Sequence, residues 1–210
     1  MIKLDSKYST TAEYLSLFCM IALTVVAIFN KTVSVFYIIY LFWWDEFLKT
    51  VFDTLRYWFK KDLIENVSGF TSNTRGRMFF LLIYIVFIVV FFGLMLDWGN
   101  LDLVGSNFQT FFFRNALFNF TLLGLFLREL YIYRSQDQII KAHTVFSTGI
   151  ITLHVSIILG ILGWALVTLK FTSLKPYATL FAVTPFLLFK IFFEMAEIRA
   201  NDRLRKNNKY

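Results

Sequence analysis

The last hydrophobic stretch of this chain is too short to cross a membrane without carrying charge into it. Its apolar run, Tyr177 to Phe189, holds 13 residues before Lys190, and Glu194 follows one turn later. A helix needs ~20 residues to cross a ~30 Å hydrocarbon core. A span here therefore takes Lys190, and Glu194 with it, toward the bilayer interior. Charge in hydrocarbon is costly, so it is usually paired, turned inward and functional. A second stretch repeats the problem: Val33 to Trp44 gives 12 apolar or weakly polar residues, and then Asp45 and Glu46 arrive.

A membrane reading follows from composition. Of 210 residues, 58% are hydrophobic and 27 are phenylalanine, and the mean hydropathy is +0.62. That exceeds a soluble domain and fits a lipid-facing surface. With only 2 prolines, most helices should run unbroken. The single cysteine, Cys19, rules out an internal disulfide and reads as an inert buried thiol in an apolar run. The first apolar segment reads as a retained helix rather than a signal peptide. Asp5 and Glu13 dilute the basic start, and no small-x-small site follows Phe29.

Six apolar segments can be marked, at about 11–30, 33–52, 78–97, 109–130, 145–169 and 177–198. Short connections join them, so residues 1–210 form a single integral membrane domain. The expected fold is all-α, a polytopic transmembrane helix bundle of about six spans. Basic residues set its orientation. One side holds fifteen of them: Lys3, Lys7, Arg56, Lys60, Lys61, Arg75, Arg77, Arg128, Arg134, Lys141, Arg199, Arg203, Arg205, Lys206 and Lys209. The other holds three, Lys31, Lys170 and Lys175. Both termini are thus expected in the cytoplasm, with a basic tail over 199–210, and the localisation is the cell (inner) membrane. Residues 53–77 read as an amphipathic cytoplasmic continuation of the second span. Asp45, Lys49, Asp53 and Arg56 make a helical ladder of alternating sign. Tyr57, Trp58 and Phe59 beside Lys60 and Lys61 suit a surface of anionic lipid rather than nucleic acid.

Helical rise places the charges in depth. At ~1.5 Å per residue, Asp45 and Glu46 lie ~18–20 Å from the outer entry of the second span. Lys190 lies ~20 Å down the sixth, and His154 ~14 Å up the fifth. These levels nearly coincide in the inner-leaflet half of a ~30 Å core. Asp45, Glu46, His154, Lys190 and Glu194 therefore form one candidate polar cluster, in which opposite charges compensate one another. Blander readings stand beside it. Trp43 and Trp44 can be an aromatic belt with the acids already at the headgroups. Lys190 and Glu194 can be a structural pair at i,i+4, and His154 a packing histidine. A second polar face comprises Arg114, Asn115 and Asn119 near the outer end of the fourth span, read as helix–helix glue. Two histidines and no HxxxH or CxxC spacing point to no metal, and no motif points to a cofactor.

Phe42-Trp43-Trp44-Asp45-Glu46, the run Leu153 to Gly160, and Leu188 to Glu194 together resemble a prokaryotic multi-pass membrane family known only as a domain of unknown function. The resemblance spans roughly residues 33–198. It implies an aromatic-x-acidic element, a Leu-His before an Ile-rich segment ending in Gly, and a Lys followed four residues on by an acid. Trp44, Glu46, His154, Lys190 and Glu194 occupy those positions. The chain departs from that pattern at Phe47, where Asn is expected, and in a third span without histidine. The resemblance implies no activity.

Three functions fit. The first is a small channel, transporter or ion/proton-coupled membrane component. The second is an anchor or sensor subunit, as a homo-oligomer or with a membrane or cytoplasmic partner. An intramembrane acid/base enzyme comes third, for want of a nucleophile constellation or phosphate loop. Scarce proline and glycine breaks argue against discontinuous helices.

Overall fold

The computed structural model describes residues 6–29, 34–136, 144–171 and 178–207. Lys3, Lys31, Lys141, His143, Lys175, Tyr177 and Lys209 lie outside the described residues, as do the side chains of Lys7, Pro185, Arg205 and Lys206. Among the described residues the chain is all-helical: α1 (Ser6–Phe29), α2 (Val35–Phe59), α3 (Val67–Phe87), α4 (Leu101–Phe111), α5 (Ala116–Ser135), α6 (Thr148–Leu169) and α7 (Ala178–Asn207). The backbone of α7 is helical through position 185.

Polar residues between the apolar runs set the helix starts. Ser34, Asn66, Asn100, Asn115 and Ser147 each stand in extended backbone and accept a bond from the amide three residues on. Those bonds take up amides that the first helical turn leaves without partners, at about 1 kcal/mol each. The stretch 53–77 is accordingly not one helix. The C-cap Lys60 closes α2 through its amide on the Arg56 carbonyl, a 3₁₀ turn covers Lys61–Leu63, and Asn66 starts α3.

Two irregularities replace the unbroken helices expected from scarce proline. α3 continues into a π-helical segment, Ile88–Met95. Asn107 of α4, only 2% exposed, donates to the carbonyls of Gly93 at 3.2 Å and Phe92 at 3.5 Å. Gly93 also sits where an added Cβ would lie 3.3 Å from the Phe36 ring, so a small residue lets α2 come close. The second break separates α4 from α5. Phe113 has φ 58°, a left-handed conformation that costs a non-glycine residue energy. The turn is held by the Arg114 amide on the Gln109 carbonyl at 2.7 Å. A chain can break a helix without glycine or proline when side chains satisfy the freed groups.

α2 is the central helix. Every residue from Val35 to Trp43 is buried. Phe36, Tyr40, Trp43 and Phe47 stack along it with centroids 5.2, 6.1 and 4.9 Å apart. Phe118 of α5 lies flat on Tyr40 at 5.3 Å, and the Trp43 indole donates to the Leu81 carbonyl of α3 at 2.8 Å. α6 and α7 pack as a pair, and α1 lies against α5 and α7. Outward faces are apolar, with Phe79, Val86, Phe120 and Phe192 each more than 60% exposed. Val67–Met95, Leu101–Ser135 and Thr148–Val167 are long and apolar enough to cross a membrane. Cys19 is exposed, not buried as its apolar surroundings suggested, because it falls on the outer side of α1.

A buried ionic layer as candidate functional site

Below its aromatic half, α2 turns charged without leaving the core. Asp45, Glu46, Lys49, Asp53 and Arg56 recur every turn, so one face of the helix carries alternating signs into the bundle. Asp45 is 0% exposed and faces three cations. Lys190 of α7 binds Oδ2, Arg128 of α5 binds Oδ1 at 2.5 Å, and Lys49 stands 3.6 Å from Oδ2. Glu194, one turn from Lys190, meets Lys190 at 2.6 Å, Lys49 at 3.2 Å and Arg128 at 3.5 Å. Arg128 also holds Glu129 at 2.8 Å, and the Phe42 ring lies 5.6 Å from the Lys190 ammonium.

A second lobe continues toward the end of α2. Arg77 of α3 bonds Asp53 at 2.6 Å and stands 3.7 Å from Glu46. Arg56 pairs with Asp53 at 2.7 Å and donates to the Gln136 side chain at 2.7 Å. Glu46 joins the lobes: Lys49 donates to it at 3.2 Å, and Ser147 donates to it at 3.4 Å. Its carboxylate lies on the first turn of α6, where a Cβ added at Gly149 would fall 1.8 Å from the Glu46 Cδ. The start of α6, with its partial positive charge, faces that anion.

Five acids, Asp45, Glu46, Asp53, Glu129 and Glu194, pair with five bases, Lys49, Arg56, Arg77, Arg128 and Lys190, and Glu197 of α7 adds a further negative charge near Lys49. The paired side chains are 0–9% exposed except Lys49, at 16%. Ions this deep persist only when each loses its water to an opposite charge or a hydrogen bond, and here each has a carboxylate or cation within 4 Å. Among the described residues, no group of three or more His, Cys, Asp or Glu side chains is placed to hold a metal.

Four of the five residues expected from sequence come together here: Asp45, Glu46, Lys190 and Glu194. The acids after Trp43 and Trp44 are buried inside the bundle, at 0% and 2% exposure. His154 does not join. It points outward from α6, exposed, and its Nδ1 lies 3.0 Å from the Tyr84 hydroxyl of α3. Helical rise from the segment ends sets it near the layer; it lies instead about 8 Å along α6 from Gly149, which abuts Glu46, and on the outer face. Arg114, Asn115 and Asn119 are not interhelical glue either. Asn115 caps α5, Asn119 donates to the Phe113 carbonyl at 2.7 Å, and Arg114 is exposed. All three serve the break between α4 and α5.

Six members of the layer lie outside the cluster read from sequence: Lys49, Asp53, Arg56, Arg77, Arg128 and Glu129. Position in the chain makes Arg56, Arg77 and Arg128 look like loop cations, and Lys49, Asp53 and Arg56 like a ladder on the helix surface. The available signal was the Arg128-Glu129 pair, which interrupts the apolar run Leu122–Leu130 much as Asp45-Glu46 interrupts the second span. No family model, no curated protein and no solved structure matches the chain.

Proposed function

We propose that the chain is a multi-pass protein of the cell (inner) membrane acting as an anchor or sensor subunit, its ionic layer serving as a latch between helices. The supporting observation is the pairing itself. Ten charges from α2, α3, α5 and α7 are paired with one another and nearly all buried. A conducting site needs a hydrated route to a charge that can be exchanged. Lys190, 2% exposed, is engaged by two carboxylates instead. A latch needs alternative arrangements separated by a barrier, which interlocked ion pairs supply. Six spans with both termini in the cytoplasm belong to this proposal, on the fifteen-to-three basic bias. So does a partner surface of anionic lipid, with Trp58 and Phe59 66% and 72% exposed beside Lys61. The proposed membership of the multi-pass family of unknown function rests on the sequence positions Trp44, Glu46, His154, Lys190 and Glu194.

Reconstitution tests the reading. Purified protein in liposomes should give no proton or cation flux above empty liposomes between about pH 5 and 8, the range in which histidine titrates. Limited proteolysis should show α7 released when Asp45 is changed to Asn. A wild-type flux that Lys190→Met abolishes would overturn the latch and restore conduction.

A further inference from the structure

The Tyr84–His154 pair stands apart from the ionic layer. Tyr84 lies seven residues beyond Arg77 on α3, and His154 five beyond Gly149 on α6. Both therefore lie ~8–10 Å outward of the layer. On the membrane reading, on which this inference rests, that depth is hydrocarbon. His154 is exposed there, in a ridge with Ile151, Ile158 and Leu162 at 40%, 45% and 57% exposure. An imidazole facing lipid leaves one ring nitrogen without a partner, which hydrocarbon penalises.

The chemistry of the pair narrows what covers it. A ridge of protruding aliphatic side chains offers no concave small-molecule site, and a polar side chain on such a face in lipid is met by hydrogen bonding across to another helix. The Tyr84 hydroxyl can donate to Nδ1 or accept from it, so it supports either tautomer of His154. Nε2 is a donor in one tautomer and an acceptor in the other. Two identical faces can thus join through one Nε2–H to Nε2 bond, each histidine held by its own tyrosine. We propose that the α3–α6 face is where a second copy of this chain packs, with His154 at the centre of the interface.

Full-length protein carrying Cys19→Ser, purified and reconstituted in liposomes, tests this. Ile158→Cys in that background should cross-link into dimers on oxidation. Phe120→Cys, on the equally apolar outer face of α5, should stay monomeric. Energy transfer between labelled copies, followed on dilution into lipid, should show His154→Ala raising the dimer dissociation constant about 3- to 18-fold, the span of one interhelical polar contact. His154→Gln, which keeps a donor and an acceptor, should recover part of that loss. A monomeric Ile158→Cys protein, equal cross-linking of Phe120→Cys, or unchanged dissociation in His154→Ala would each overturn the proposal. Alkaline carbonate extraction separates the two readings. Release from membranes removes the membrane reading, and with it this one. An integral protein that stays monomeric overturns this inference alone.

Discussion

Replacing Asp45 by Asn should be the most damaging isosteric change in the protein. Asp45 is fully buried and answers Lys190, Arg128 and Lys49. Asn keeps the shape but removes the charge, leaving four acids against five bases. Each cation retains another partner: Glu194 for Lys190, Glu129 for Arg128, Glu46 for Lys49. The loss is therefore that of one buried partner, about 3–5 kcal/mol, rather than of three. For a chain of this length that corresponds to a fall in Tm of about 6–20 °C. Lys190→Met should cost less, because Asp45 keeps Arg128 and Lys49. The double variant, four acids against four bases, should melt above Asp45→Asn alone, with a coupling of about 0.5–3 kcal/mol. Thermal unfolding in one detergent, read as the fraction remaining dispersed, measures all four proteins. Additive losses, or an Asp45→Asn protein that melts with the wild type, would refute compensation as the reason these charges are tolerated.

Three further outcomes follow from other contacts. Gly149→Ala should drive the Glu46 carboxylate off the start of α6 and lower Tm, and adding Glu46→Ala should recover part of the loss by vacating that space. Reporter fusions after Asn100 and after Asn207 should report opposite sides of the membrane, the first outside. Burial pushes the Asp97 carboxyl up, against a 3.0 Å bond from the Asn107 amide that lowers it. The folded protein thus favours the neutral acid. Its contribution is full below the unfolded pKa and falls as pH rises through the raised folded value, so Asp97→Asn, which removes a group whose protonation favours the fold, should make Tm fall more steeply on acidification.

Burial and level along a helix were legible in the sequence; the face presented was less so. Asp45, Glu46, Lys190 and Glu194 each follow an apolar run of 12 or 13 residues, and the structure brings them together inside the bundle. Helical rise is enough to predict that. His154 lies about 8 Å beyond the layer along α6 and faces outward, since α6 is apolar all round and its pattern marks no inner stripe. Arg77 and Arg128 sat at the ends of apolar segments, where a basic residue ordinarily means the cytoplasmic interface. Only the acids on α2 reveal that these arginines turn inward. The break at Phe113 left no glycine–proline signal and the π segment only the lone Gly93, because Asn107 and Asn119 satisfy the freed carbonyls.

The layer is better explained by register than by stability. Well-packed apolar residues in place of a buried ion pair are often neutral or stabilising, so ten charges are a poor way to hold a bundle together. Between apolar helices in lipid there is no hydrophobic preference for one register, since lipid tails are as apolar as leucine. Charges supply one. Sliding α7 by a turn, ~5.4 Å, so that Glu194 takes the place of Lys190 would set it against Asp45, like against like. Sliding α2 by a turn would bring Lys49 to the place of Asp45, facing Lys190 and Arg128 with the same sign. Both slips exchange attraction for repulsion at low dielectric, where charge interactions are strongest. Helices interlocked in this way move between discrete registers or not at all, which is the property a latch requires and a continuously deformable apolar contact lacks.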